Sequence, residues 1–247
     1  MLRVGRTPTR LDDRAALEKG TRRMRVLVTA ADEPLGAGVA LRLRENHVVR
    51  LTGAGPLSPP GLESLPYTPL DLREEGRAAD HLAGVDAVVH CAPHSLADSS
   101  DDEATLLDQA SRATFVLLHA ALKAGVKRFV VVSRLEVMDA YPAEYIVDPT
   151  WSPKPAPNAQ SLAPHLAELT VREFVRAEPM LGVCLRMGAL DGPDGTSSQD
   201  ARTAIEAALA MDVEGRKNRW FLYHICSTDR YPLAHASSAP LHFTRSA

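Results

Sequence analysis

The turn Thr29-Ala30-Ala31-Asp32-Glu33-Pro34-Leu35-Gly36 joins the apolar run Val26-Leu27-Val28 to a segment of helical spacing. A strand that runs straight into a helix is where anions bind, because the helix start presents unpaired N–H groups and the positive end of its dipole. Asp32 and Glu33 have the types of paired acid/base carboxylates, although neighbours at a helix start more often cap it. A second cluster is His90-Cys91-Ala92-Pro93-His94, followed by Asp98, Asp101, Asp102 and Glu103, whose types suit a metal ion. Strand alternation sends His90 and Cys91 to opposite sides, so the plainer reading is a buried strand end and a solvated acidic loop, and no metal is expected. Ser133 closes another apolar run but lacks the GxSxG elbow that exposes a nucleophilic serine.

These residues are spaced along a regular alternation of elements. Short apolar, β-branched runs predict strands at 24–29, 47–52, 86–91, 128–133 and 182–186, as expected of parallel strands buried on both faces. Between them 35–45, 74–83, 103–124 and 161–177 carry apolar residues at helical spacing, the third ending at Gly125 as a cap. A helix near 200–211 and a strand near 219–225 follow a Gly/Asp turn at 191–195. The alternation predicts an α/β fold: a Rossmann-like, doubly wound parallel sheet with helices on both faces, opening at 24–29. The stretch 139–160, rich in Pro, Tyr and Trp, reads as a long irregular excursion.

Twenty-eight Lys and Arg stand against 31 Asp and Glu, a net charge of −3 that is no nucleic-acid footprint. The three cysteines, Cys91, Cys184 and Cys226, form no CxxC pair, which fits a reducing cytoplasm. No apolar run approaches the ~18–20 residues that cross a bilayer. Residues 1–23 hold seven basic residues and few large apolar ones, and read as an N-terminal extension, with Met24 as a natural start. An Arg-rich transit peptide is the alternative, and the acids Asp12, Asp13 and Glu18 count against it. The organisation expected is therefore 1–23 extension, 24–186 Rossmann-like domain and 187–247 a small C-terminal cap region.

Six segments together resemble the extended short-chain dehydrogenase/reductases, the NAD-dependent epimerase/dehydratase family, over about residues 24–243. The first turn is similar to that family's Thr-Gly-x-x-Gly-x-x-Gly. Asp71-Leu72 looks like its adenine-reaching pair, and Val88-Val89-His90-Cys91-Ala92-Pro93 like its cofactor-flanking strand and turn. Residues 114–133, with Ala124-Gly125-Val126-Lys127-Arg128, are close to its helix-to-strand passage. Leu185-Arg186-Met187-Gly188 with Gly192-Pro193, and the helix start Asp200-Ala201-Arg202-Thr203-Ala204, are similar to later family segments. The resemblance implies NAD or NADP as cofactor, with Thr29, Ala31, Asp32, Leu35, Gly36, Asp71, Leu72, Cys91, Ala92 and Pro93 along it. It also implies a homodimer built from helices 103–124 and 161–177.

The departures set the functional reading. Ala30 and Glu33 replace two turn glycines and only Gly36 stands. A carboxylate ~4 Å from a phosphate charge, at an effective dielectric near 20, is repelled by about 4 kcal/mol unless it turns outward. Leu51-Thr52-Gly53 offers neither the acid that holds a ribose hydroxyl nor an Arg for a 2′-phosphate, so NAD is not distinguished from NADP. The family's acid/base pair is Tyr-x-x-x-Lys, and no such spacing occurs in the chain. Aligned through Leu166-Ala167-Glu168, its positions fall on Gln160 and Pro164; the family's hydroxyl falls on Arg134 and its helical Asn on Ala110. The expected function is a non-catalytic binding, scaffold or regulatory member with weak or absent cofactor binding and a small ligand or macromolecular partner. The alternative is an NAD(P)-dependent oxidoreductase or epimerase with a replaced acid/base, for which Ser133, His165 and Tyr145 are the candidates.

Overall fold

The computed structural model describes residues 23–96, 99, 101–234 and 241–246, so most of the expected extension lies outside the described residues. Seven parallel strands, β1 (Arg25–Thr29), β2 (Val48–Gly53), β3 (Tyr67–Pro69), β4 (Ala87–His90), β5 (Arg128–Arg134), β6 (Leu181–Met187) and β7 (Trp220–Ile225), form one sheet in the order β3-β2-β1-β4-β5-β6-β7. The first strand is interior, parallel to β2 and β4 on its two sides. The expected doubly wound sheet is what forms, and its order reverses between β1 and β4.

The helices are α1 (Pro34–Leu43), α2 (Glu75–His81), α3 (Ala92–Leu96), α4 (Glu103–Asp108), α5 (Thr114–Lys123), α6 (Ala159–Ala177) and α7 (Ser198–Ala210). Strand side chains alternate between two cores. Val26 and Val28 pack with Val130, Val183 and the apolar stripes of α1 and α7. Leu27 turns the other way, with Val88, Phe129, Cys184 and the stripes of α2, α5 and α6. Side-chain caps start α4, α6 and α7: Asp102 accepts from Thr105 N, Asn158 from Ser161 N and Ser197 from Asp200 N.

Two features differ from the sequence expectation. The helix expected over 103–124 is interrupted by a π-helical turn at Gln109–Ala113, which carries Gln109 and Ala113 to the wall of a cavity. The short elements β3 and α3 carry too few residues to show a period; β3 exists because Leu51, Thr52 and Gly53 of β2 pair with it. The excursion 139–158 is irregular, as its prolines require, and is anchored by Tyr141 edge-on to Trp151. No helix among the described residues is long and apolar enough to cross a membrane.

Candidate functional site

A cavity of about 400 Å³ opens above the carboxyl ends of β1 and β2 and reaches the segment after β4, beside the point between β1 and β4 where the strand order reverses. The β1–α1 turn, the end of β2, the segment after β3, and α3 with the π turn each contribute to its wall. Of the residues the family resemblance places along a cofactor, Asp32, Asp71, Leu72 and Ala92 line it. Thr29, Ala31, Leu35, Cys91 and Pro93 are buried in the protein instead. Gly36 is buried under the turn, where a Cβ would collide with the Ala30 carbonyl, so this glycine is kept by close packing.

The turn itself is a reduced anion cradle. Ala30 is held at φ 50°, a left-handed conformation that suits glycine. The Ala31 N–H donates to Thr52 O at 3.0 Å and the Glu33 N–H to Ala30 O at 3.1 Å, while Pro34 has no N–H to give. Glu33 lies exposed at the cavity mouth. Water around it cuts the repulsion of a phosphate charge toward about 1 kcal/mol.

A carboxylate reaches the end of β2 from a different element. Asp32 Oδ2 accepts the Gly55 N–H at 2.6 Å, and a Cβ on Gly53 would land inside the Asp32 carboxylate. Glycine at 53 therefore makes room for an acid carried by the β1 turn. Tyr67 holds the facing loop, its hydroxyl donating to Gly55 O at 2.5 Å. Burial, then the charge of Asp32, raises the Tyr67 pKa, so it remains a donor.

His90 is structural. It is fully buried, its Nδ1 is 2.9 Å from Thr29 Oγ1 and its Nε2 3.0 Å from Thr114 Oγ1, while Thr29 Oγ1 also accepts the Cys91 N–H. Burial drives its pKa down to about 3, so it stays neutral and ties β1, β4 and α5 together. Cys91 packs in the opposite core. Among the described residues no group of His, Cys, Asp and Glu could hold a metal ion; Asp98 lies outside them.

The far half of the crevice, over β5 and β6, is filled by protein. His94 crosses from α3 to the residue after β6, its Nε2 3.3 Å from Gly188 O, and is 3% exposed. Ala110, Ala159 and Ala163 pack with Leu96 and Leu106 around the start of α6, where Gln160 and Pro164 stand. Arg134 at the hydroxyl position is tied to Glu136 at 2.7 Å.

Beneath this plug lies a buried polar cluster. Glu168, one turn beyond Pro164 on α6, accepts from Arg186 of β6 through two bonds of 2.8 and 2.7 Å. Burial opposes the charge of Glu168, but the Arg186 guanidinium holds its carboxyl down to about 2. His165 Nδ1 is 3.9 Å from Glu168 Oε2. Arg186 also reaches Met138 Sδ at 3.2 Å and His224 Nε2 at 3.4 Å. Burial first, then the Arg186 charge, pushes His224 down to about 3. The structure thus brings His165 near that carboxylate, whereas Ser133 is fully buried, beyond the reach of a substrate, and its hydroxyl has no hydrogen-bond partner among the described residues. Tyr145 is elsewhere, half-exposed in the excursion with its ring 6.0 Å from Trp151. The i, i+4 spacing of Pro164 and Glu168 signals one helix face, whereas nothing in the spacing announces Arg186 as the partner.

A Rossmann sheet with a crevice at its reversal point defines a protein of the dinucleotide-binding fold class. The model of the NAD dependent epimerase/dehydratase family matches residues 26–236, and the chain belongs to that family. Glucuronic acid dehydrogenase from Chromohalobacter salexigens superposes with a TM-score of 0.74 at 16% identity, over 91% of this chain and 85% of that one. UDP-glucose 4-epimerase from Thermotoga maritima gives 0.71 at 16%, over 87% and 88%. DesIV, a dTDP-glucose 4,6-dehydratase from Streptomyces venezuelae solved with NAD bound, gives 0.71 at 20%, over 82% and 75%. At these identities the likeness is one of fold. No match was found among the curated proteins.

Proposed function

We propose that this chain is a ligand-binding member of the family that carries out no hydride transfer and acts as a binding, scaffold or regulatory protein. The observation that carries the reading is α6 at Gln160 and Pro164. Gln160 offers no phenol, and Pro164 offers no ammonium to lower a neighbouring pKa or hold a ribose. The apolar packing around them and the His94 bridge support it, since NAD bound as the fold class binds it would need that volume and the depleted turn would hold its pyrophosphate poorly. The catalytic alternative draws on His165, whose Nδ1 lies 3.9 Å from Glu168 Oε2.

The decisive experiment is titration of the purified protein with NADH and NADPH followed by fluorescence. No saturable binding below millimolar concentration is expected, and Ala30→Gly combined with Glu33→Gly should restore measurable binding while turnover stays absent. Tight binding by the unmodified protein, with hydride transfer abolished by His165→Ala or Tyr145→Phe, would overturn the reading. We further propose a cytoplasmic homodimer, supported by the apolar residues Phe115 and Leu169, which α5 and α6 leave 49% and 38% exposed.

A further inference from the structure

The sheet edge formed by β7, opposite the β3 edge, carries a second cleft of about 520 Å³ that shares no residue with the crevice over β1 and β2. It lies between β7, α6 and residues 149–153 of the excursion. Arg172, Arg186, Arg216 and Lys217 line it, and among the described residues of its wall there is no carboxylate side chain. Behind the wall Glu168 balances Arg186, and Glu173 is shared by Arg172 and Arg176 at 2.9 and 3.1 Å. Arg216 and Lys217 are exposed on the loop before β7 and form no ion pair among the described residues, so the cleft holds an excess of positive charge in a chain whose net charge is −3. Both tryptophans of the chain, Trp151 and Trp220, stand in the same wall. Trp151 is held edge-on to Tyr141 at 4.9 Å, and Trp220 lies against β6, where a Cβ on Gly182 would come within 3.1 Å of its ring. The backbone of β7 is engaged on both sides of Leu222. Asn218 Nδ2 donates to Trp220 O at 2.7 Å and its Oδ1 accepts the Trp220 N–H at 3.2 Å, while the His224 N–H donates to Leu233 O at 3.0 Å. The edge is thereby closed to a further strand, and the cleft offers side chains instead: two indole rings and a set of cations.

We propose that this cleft binds a small aromatic acid in its ionised form, with the ring system against Trp151 and Trp220 and the acid group held by Arg216, Lys217 and Arg172. The volume is that of a small-ligand site. Indole rings already fixed in place give a flat ligand a large contact at little cost in ordering. A guanidinium fork meets a carboxylate through two parallel bonds, and Lys217 adds a point charge beside it. Arg186 lends its field from the floor, but its Nε and Nη2 are spent on Glu168 at 2.8 and 2.7 Å. A neutral ring makes only the aromatic contact and a bare anion only the charged one, so the two features together name the class. The inference stands apart from the reading of the first crevice, because the two cavities have no residue in common.

The test is calorimetric titration of the full chain with 2-naphthoate, its neutral amide 2-naphthamide and the cation 2-naphthylmethylammonium, with the emission lifetime of Trp151 and Trp220 followed in parallel. The naphthoate should saturate at or below about millimolar concentration and shorten the lifetime. The amide should bind at least about fivefold more weakly and the cation not measurably. Raising the salt about tenfold should weaken the acid several-fold and leave the amide unchanged. Arg216→Ala combined with Lys217→Ala should bring the acid down toward the amide; the acid-to-amide ratio of the parent and its salt dependence test the same contact if that variant does not fold. Absence of saturable naphthoate binding up to several millimolar, an amide or cation that binds as tightly as the acid, or binding that leaves both tryptophans unaffected overturns the inference. So does an acidic peptide with a central Phe that binds more than about tenfold tighter than the naphthoate, since the cleft would then be a docking site for a partner protein.

Discussion

Replacing Glu168 by Gln removes the charge that Arg186 needs at a site where the two side chains are 4% and 3% exposed. The free carboxyl titrates near 4.5 and in the fold near 2, so the ionised form is favoured by about 3 kcal/mol, burial notwithstanding. Removing one member of a buried pair costs about 3–5 kcal/mol, because the other charge is left in a low-dielectric interior. The two routes agree on a loss of roughly 3 kcal/mol for Glu168→Gln, read as a fall in the urea midpoint at constant m-value. The double variant Glu168→Leu with Arg186→Met replaces both charges by apolar groups and should recover to within about 1 kcal/mol of the parent. Because the carboxyl pKa is depressed, the stabilisation is present above pH 4.5 and lost as pH falls toward 2. A single variant costing less than about 1 kcal/mol, or a double variant costing the sum of both singles, would refute the reasoning.

His90 and His224 are both lowered from 6.5 to about 3, so protonation favours the unfolded chain. Stability should be full above pH 6.5 and fall below it, by up to ~3 kcal/mol per pH unit for the pair. Denaturation between pH 7 and 5 would show this; an unchanged midpoint refutes it, and His90→Gln should halve the slope. Ala30→Gly relieves a left-handed conformation and should raise stability by about 1 kcal/mol in thermal unfolding. A destabilised variant would mean that the turn is not strained. The proposed homodimer predicts a doubled mass by light scattering and its loss on Leu169→Glu at the α6 face; a monomeric parent at tens of micromolar would refute it.

Much of the scaffold is legible without coordinates. Strands β1, β2 and β4 to β7 begin and end within two residues of the expected runs, because strands buried on both faces must be continuous apolar segments. The loss of Tyr-x-x-x-Lys and the filled glycine positions of the first turn are equally readable, since each is a matter of residue type at a local spacing. Local spacing also placed Asp32 in the right turn, but only as one more residue along it.

What the tertiary structure decided is contact between residues far apart in the chain. Asp32 meets Gly55 across 23 positions, His94 meets Gly188 across 94, and Glu168 meets Arg186 from helix to strand. The chain alone determined a Rossmann sheet of this family without its acid/base pair, because hydrophobic periodicity and residue identity are local. That the bare end of β2 receives a carboxylate from β1, and that the far half of the crevice is packed shut, followed only from folding. Strand order brings those ends together, and no pattern along the chain encodes which side chain will fill the gap between them.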